Sequence, residues 1–380
     1  MSVVIAVPKE RTPGERRIAI VPEVAQKWVA AGHEVRIEAS AGTESFYPDD
    51  AFARAGAKLL PDRRTLLDGA EIVLTVQPPA PELLETLAEG AMVVGFMNPA
   101  RNLDSVRRLR DRKLTAFALE LIPRITRAQS MDALSSQATV GGYAAVLLGA
   151  GSCPKFFPML TTAAGTIRPA TVLVLGAGVA GLMAIATARR LGAQVEAYDV
   201  RRAAGEQVRS LGAKFLELEI NAEGAGGYAR ELTAEEKAKE QEMVSAALTR
   251  ADVVVTTANV PGRRAPRLVA AATVARMRPG AVIVDLAAES GGNCELTQPG
   301  ATVRSGDVMV LGPTNLPAQV PFHASQMYAK NLQAFLGLLI DRDGRRVTDF
   351  SDEILSGSLL VAAGEVRHEP TRTALAGAAA

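Results

Sequence analysis

Two groups of residues in this chain have types and spacings suited to chemistry. The first is Gly176-Ala177-Gly178-Val179-Ala180-Gly181, which follows the apolar run Val172 to Leu175 and precedes a helical pattern from Leu182 to Leu191. A second strand-like run, Gln194 to Tyr198, leads into Asp199, about 20 residues beyond the glycines. Gly176 permits a tight turn, Gly178 removes a Cβ where a pyrophosphate approaches the backbone, and Gly181 lets the helix pack closely on the strand. The helix N-terminus adds oriented N–H donors for an anion. A carboxylate at Asp199 accepts hydrogen bonds from both adenosine ribose hydroxyls, which favours NAD(H) over NADP(H). Arg201 and Arg202 beside it could take a 2′-phosphate, but the acid at the strand tip repels that group and outweighs them. The plain alternative is a structural βαβ turn with Asp199 as a solvated strand end.

The second group, Arg124, Arg127, Gln129, Asp132, Ser135 and Ser136, lies within RITRAQSMDALSSQ, residues 124–137. Ser135 and Gln129 can read a carboxamide, and Arg124 paired with Asp132 would hold the loop rigid. The alternative is ordinary helix capping by Asp132 beside two solvated arginines.

The elements that must position these groups alternate along the chain. Ser2 to Val7, His33 to Ile37, Glu71 to Val76, Met92 to Phe96 and Leu114 to Ala118 read as strands. Pro22 to Ala31, Arg63 to Asp68, Pro81 to Leu87 and Leu103 to Asp111 read as helices between them. Met131 to Ala150, apolar and rich in small residues, reads as a long buried connecting helix. Further strands are expected at Val253 to Thr257, Ala281 to Asp285 and Val308 to Leu311, and a returning helix at Ser325 to Ile340. The fold class is α/β, two Rossmann-like doubly wound domains with a cleft between them. Residues 1–134 plus 325–380 would form the N-terminal domain, closed by the C-terminal segment, and 135–324 the NAD-binding domain. The tail from Gly364 lacks periodicity and is expected to be frayed. Between Leu218 and Val244 a glycine-rich acidic stretch and a charged helical run form an insertion, in which Tyr228 after Gly226-Gly227 could serve as a lid aromatic. Pro261-Gly262-Arg263-Arg264 either borders the nucleotide or is a basic surface turn.

Composition narrows the function classes. A length of 380 residues exceeds the usual limit of one core, which agrees with two domains. A net charge of +1 gives no reason to expect nucleic acid, and 4% aromatic residues are too few for a base-stacking surface. Cys153 and Cys294 share no metal or redox spacing and read as reduced, packed thiols. His33, His323 and His368 are dispersed, so no metal site is expected. No apolar run approaches the roughly 20 residues that span a bilayer, and the N-terminus lacks the features of a signal peptide. The chain is therefore expected to be soluble and cytoplasmic, with any membrane role carried by a partner.

VPKERTPGERRIAIVP, PRITRAQSMDALSSQ, VLGAGVAGLMAIATARRLGAQVEAYDVR, TTANVPGRRAP, VIVDLAAESGGNCE and LGPTNLPAQVP are spread along the chain between Val7 and Pro321, so the likeness they carry extends over essentially its whole length. They resemble the NAD(H)-binding component of the proton-translocating NAD(P) transhydrogenases. The resemblance implies that Arg124, Gln129 and Asp132 form that family's Arg-Gln-Asp loop and that Ser135 is its nicotinamide-contacting serine. These four are the expected catalytic group. It also implies a mobile loop around Tyr228. The residues expected to hold NAD(H) are Gly176, Gly178, Val179, Ala180, Gly181, Asp199, Val200, Arg201, Tyr228, Thr257 and Ala258. Further implications are a homodimer, a partner subunit that binds NADP(H), membrane-spanning subunits that carry protons, and a peripheral place on the cytoplasmic side of the inner membrane.

Alanine dehydrogenase shares the architecture and is the competing reading. Its substrate-binding arginine would correspond to Arg17, its catalytic lysine to Thr75, its histidine to Asn98 and its aspartate to Glu289. Oxidation of an amine needs a proton acceptor near the carbon that loses hydride. Neither Thr75 nor Asn98 is one. Hydride transfer between two nicotinamides needs only positioning and exclusion of water. A nucleotide-sensing module without catalysis is the third class.

Overall fold

The computed structural model describes residues 2–217, 233–259 and 264–377. The chain divides into two compact units, Met1–Gln137 with Pro317–Ala380, and Ala138–Leu316. Unit 1 carries β1 (Val4–Val7), β2 (Glu34–Glu38), β3 (Lys58–Leu60), β4 (Ile72–Leu74), β5 (Met92–Gly95) and β6 (Thr115–Ala118). Unit 2 carries the hairpin β7 (Leu160–Thr162) and β8 (Gly165–Ile167), then β9 (Thr171–Leu175), β10 (Gln194–Tyr198), β11 (Lys214–Phe215), β12 (Val253–Thr256), β13 (Val282–Asp285), β14 (Thr302–Ser305) and β15 (Val308–Leu311). The chain returns to unit 1 for β16 (Leu359–Ala362) and β17 (Glu365–Val366).

In unit 1 the strand order is β17-β16-β6-β5-β4-β1-β2-β3. The six N-terminal strands are parallel and β16 runs antiparallel to β6. Parallel neighbours require crossovers, and helices on the sheet faces provide them. Leu103–Asp111 shows how sparse sequence suffices: only Val106 and Leu109, three apart, are buried, while Asp104 in the first turn and Arg108 and Arg110 in the last suit the helix dipole. Every residue of β4, β5 and β6 is buried, as strands covered on both faces must be.

Unit 2 has the order β11-β10-β9-β12-β13-β15-β14, parallel apart from β14. The chain order reverses between β9 and β12, so a switch point lies at the carboxyl ends of these two strands.

Two expectations need correction. The tail is regular as far as Gly377: β17 pairs with β16, and helix Glu369–Gly377 buries Thr371 and Leu375. The two-residue link between these strands, Ala363-Gly364, has left-handed φ values of 52° and 76°, the geometry of a tight hairpin turn. The connecting helix, Ala133–Ser152, is not buried throughout, since Tyr143 and Leu147 are 41% and 40% exposed. Its small residues serve close packing: a Cβ on Gly142 would lie 2.1 Å from Ala180 O, and one on Gly149 2.8 Å from a Val253 methyl. The charged run is helical as expected, forming helix Ala234–Arg250, opened by a capping box between Thr233 and Glu236.

Candidate functional site

The glycine loop of unit 2 separates what the protein needs from what a ligand needs. Gly176 has φ of 101°, and a Cβ there would lie 2.5 Å from Thr257 Oγ1. One on Gly181 would lie 1.8 Å from Gly176 O. Thr257, directly after β12, donates its hydroxyl to Gly176 O at 3.0 Å and so ties the loop to the neighbouring strand. Gly178 differs. Its φ of −77° is open to any residue, and a Cβ there would meet nothing within 4 Å. No protein contact demands a glycine at 178; a pyrophosphate against the backbone would. Helix Val179–Arg190 starts at the next residue with its N–H groups facing the loop. Val179 and Val200 are 43% and 71% exposed, apolar surface beside this polar cradle.

Asp199 follows β10. Its Oδ2 accepts the Ala177 N–H at 2.7 Å, and its Oδ1 the Arg201 N–H at 2.8 Å. The Arg201 guanidinium clasps both oxygens at 3.0 Å. Burial works to raise this carboxyl, but Arg201 and the two N–H groups outweigh it and hold the group below the usual carboxylate range. Arg201 is thus engaged by the acid rather than held apart as a phosphate receptor. Beyond the tip of β12, Ala258 is braced by fully buried Asn293, and Thr256 by fully buried Asp285, two residues of the run VIVDLAAESGGNCE to which the sequence alone gives no role.

The polar loop belongs to unit 1. Thr126–Met131 forms a turn of 3-10 helix, anchored by buried Ala128 and Met131 and by Asn331 Nδ2, which donates to Ser130 O at 2.8 Å. Asp132 accepts the Ser135 N–H at 2.8 Å and its hydroxyl at 2.6 Å, capping helix Ala133–Ser152. The expected Arg124–Asp132 pair is absent, because the capping bonds hold the carboxylate. Arg127 remains exposed but is paired with Asp352 at 2.8 Å. Arg124 and Gln129 are exposed.

Of the positions that a dehydrogenase would use, Arg17 and Thr75 are buried within the fold. Arg17 is 4% exposed and clasped bidentately by Glu15, Nε to Oε1 at 2.8 Å and Nη2 to Oε2 at 2.6 Å. Its Nη1 donates to Gln137 at 2.8 Å. Burial opposes ionisation of Glu15, yet Arg17 and Gln77 pull its pKa down to about 2. Thr75 is buried and its carbonyl accepts from Tyr328 at 2.7 Å. Asn98 is exposed, its N–H on Glu120, and Glu289 in unit 2 is exposed. Glu10, pushed by burial up to about 7, accepts the N–H groups of Val76 and Gln77 and acts as a clasp on that loop.

Among the described residues no cluster of potential metal ligands occurs, and both cysteines are free thiols, Cys294 buried and Cys153 partly so. No described helix is long and apolar enough to cross a membrane. Gly226, Gly227, Tyr228 and Pro261 to Arg263 lie outside the described residues.

Comparison with known proteins agrees with this geometry. Residues 6–141 match the alanine dehydrogenase/PNT N-terminal domain, and residues 145–369 its C-terminal domain. The first polypeptide of the divided NAD(P) transhydrogenase alpha subunit of Rhodospirillum rubrum is 47% identical over 374 residues, 96% of this chain and 97% of that protein. A solved transhydrogenase from Sinorhizobium meliloti superposes with TM-score 0.88 at 40% identity, over 96% of this chain and 99% of the other. A solved L-alanine dehydrogenase superposes with TM-score 0.82 at 26% identity, over the full length of both. Both halves of the fold and nearly the whole length being matched, the chain belongs to the alanine dehydrogenase/PNT family, where it is nearer these transhydrogenase subunits than this alanine dehydrogenase.

Proposed function

We propose that this chain is the NAD(H)-binding component of a proton-translocating NAD(P) transhydrogenase, working with an NADP(H)-binding partner and membrane-spanning subunits. The observation that carries the choice over an amino-acid dehydrogenase is the state of Arg17, Thr75 and Asn98: a buried arginine already holding a carboxylate, and no proton acceptor at either other position. In this reading Gly176, Gly178, Val179, Ala180 and Gly181 receive the pyrophosphate, Asp199, Val200 and Arg201 the adenosine side, and Thr257 and Ala258 the opposite wall. Arg124, Gln129, Asp132 and Ser135 orient the reacting ring. When bound, the nicotinamide supplies or receives the hydride; the chain's own residues bind, orient and exclude water. The purified chain mixed with an NADP(H)-binding component should transfer hydride between NADH and NADP analogues, and alone it should not turn over alanine or pyruvate. Turnover of alanine, or no transfer in the mixture, would reverse the assignment.

Asp199 should make NADH bind at least about ten-fold more tightly than NADPH, since a ribose hydroxyl donates to the carboxylate and a phosphate is repelled. The depressed pKa fixes the pH window. A carboxyl depressed on folding contributes stability that is complete above its unfolded pKa and lost as pH falls through the folded one. Asp199 therefore stays ionised at pH 7 and at pH 5, and the preference should persist at pH 5, narrowed only as the 2′-phosphate, with a second pKa of about 6, takes up a proton. Calorimetric titration with both nucleotides at both pH values checks it; equal affinities sink the assignment of Asp199.

The homodimer and the peripheral place on the cytoplasmic face of the inner membrane belong to the same reading. Leu147, Tyr143, Phe156, Met159 and Ile167 of unit 2 expose 40–64% of their surface, apolar area of the kind that a second copy covers. A Leu147→Glu, Met159→Glu double variant should sediment as a monomer and the parent as a dimer. A parent that sediments as a monomer removes the homodimer from the proposal.

A further inference from the structure

Two buried side chains connect the tips of β12 and β13. Asp285 is 0% exposed and its carboxylate takes four hydrogen bonds. Oδ1 accepts from Thr256 Oγ1 at 2.8 Å and the Ala287 N–H at 3.0 Å; Oδ2 accepts from the Cys294 N–H at 2.9 Å and Thr297 Oγ1 at 2.6 Å. Both ends of the loop between Ala287 and Cys294 are thereby fixed to β13. Asn293, at the end of that loop, is also 0% exposed. Its Oδ1 accepts the Ala258 N–H at 3.1 Å, while Nδ2 donates to Ala258 O and Pro266 O, each at 2.8 Å. Its own carbonyl accepts from the N–H groups of Leu268 and Val269. A side-chain amide that meets both the N–H and the C=O of one residue does what a neighbouring strand would do. Ala258 is held in this way beyond the end of β12, where no strand pairs with it.

We propose that Asn293 is a positioning residue for the nicotinamide half of the bound dinucleotide, acting through Ala258, with Asp285 fixing the loop that delivers it. The proposal rests on the nucleotide-binding reading above and deepens it. In a sheet of this order each half of the dinucleotide lies over one group of three strands, on either side of the order reversal. Gly178 and Asp199 belong to the β9–β10 side, which takes the adenosine half. Ala258 and Asn293 belong to the β12–β13 side. A displaced Ala258 should therefore disturb the reacting half and spare the anchoring half.

Asn293→Asp tests this with almost no change of shape. The acceptor for the Ala258 N–H remains, but a carboxylate oxygen replaces the donor facing the carbonyls of Ala258 and Pro266. Calorimetric titration of the full chain with NADH and, separately, with 5′-AMP reads the two halves. Loss of two buried hydrogen bonds should weaken NADH by roughly ten-fold or more and leave 5′-AMP within about two-fold of the parent. A parallel fall in both affinities overturns the proposal, because it makes Asn293 a support of the whole unit. No change in either overturns it too. If the parent chain itself binds 5′-AMP and NADH no better than an unrelated protein does, the nucleotide reading falls instead. Asn293→Ser, which keeps one short donor, is read by the same two titrations should Asn293→Asp not fold.

Discussion

Alanine at Gly178 is expected to leave the melting temperature of the chain unchanged and to cut NADH affinity by on the order of 100-fold. The reasoning depends on what surrounds the missing Cβ. In the protein alone a methyl at 178 meets nothing within 4 Å, and φ of −77° accommodates alanine without strain. Only a ligand against the backbone would collide with it. Pushing a pyrophosphate away from the N–H groups of the helix start weakens at least two charge-assisted hydrogen bonds, at about 1.5 kcal/mol or more each. Gly181→Ala provides the contrast, because its methyl would lie 1.8 Å from Gly176 O and 3.1 Å from Thr257 Oγ1. That variant should lose stability together with affinity, by about 1–3 kcal/mol for an overpacked contact. Differential scanning calorimetry and NADH titration on both variants give the comparison. Gly178→Ala binding NADH as the parent does would show that nothing approaches the backbone there, and the loop would revert to a structural βαβ turn.

Much of this site is legible in the sequence because each glycine is tied to a local geometry. The helix expected from Leu182 begins at Val179, a difference of less than one turn, since the turn residues themselves complete the N-terminal hydrogen bonds. Leu103–Asp111 matches at both ends, because Val106 and Leu109 have no other way to reach the core. Short elements at the exposed edges are not legible. β3, β14 and the β7–β8 hairpin have three or four residues per strand and none of them buried, so they lack the continuous apolar run that marks the equally short β4 and β5. The tail departs from expectation because Ala363-Gly364 lacks the Asn-Gly or Asp-Gly signature of a tight hairpin, although its conformation is of that kind.

Polar partners are harder still. Asp132 and Ser135, three apart, carry a helix-cap spacing, yet the charges around them suggest an ion pair with Arg124. Asp199 and Arg201 are rival signals for the cofactor when read along the sequence, and the folded chain joins them into one neutral unit. Asp285 and Asn293 lie in the run VIVDLAAESGGNCE, but their roles are not legible there: apart from the Ala287 N–H on Asp285, their side-chain partners stand 9 to 35 positions away.

Gln129→Asn, in the complex reconstituted with the NADP(H)-binding component, is expected to slow single-turnover hydride transfer by on the order of 100-fold while weakening NADH binding far less. The expectation comes from geometry. Gln129 is an exposed side chain on a short turn whose backbone is fixed by buried Ala128 and Met131 and by the Asn331 bond to Ser130, so its amide is presented from a rigid base. Shortening that arm by one methylene keeps its charge and its donor and acceptor, but displaces them by more than about 1 Å, enough to cost two orders of magnitude where reacting atoms must be held in near-attack geometry. Asp132→Asn separates positioning from capping. Asparagine caps a helix as well as aspartate does, so the start of Ala133–Ser152 and the melting temperature should be retained. What asparagine cannot supply is the carboxylate, and with it the second oxygen that accepts from the Ser135 hydroxyl and fixes its direction. If the loop exists to orient a nicotinamide, transfer in this variant falls with stability intact. Near-normal transfer rates in both variants would reduce Asp132 to a helix cap and Gln129 to a solvated surface residue.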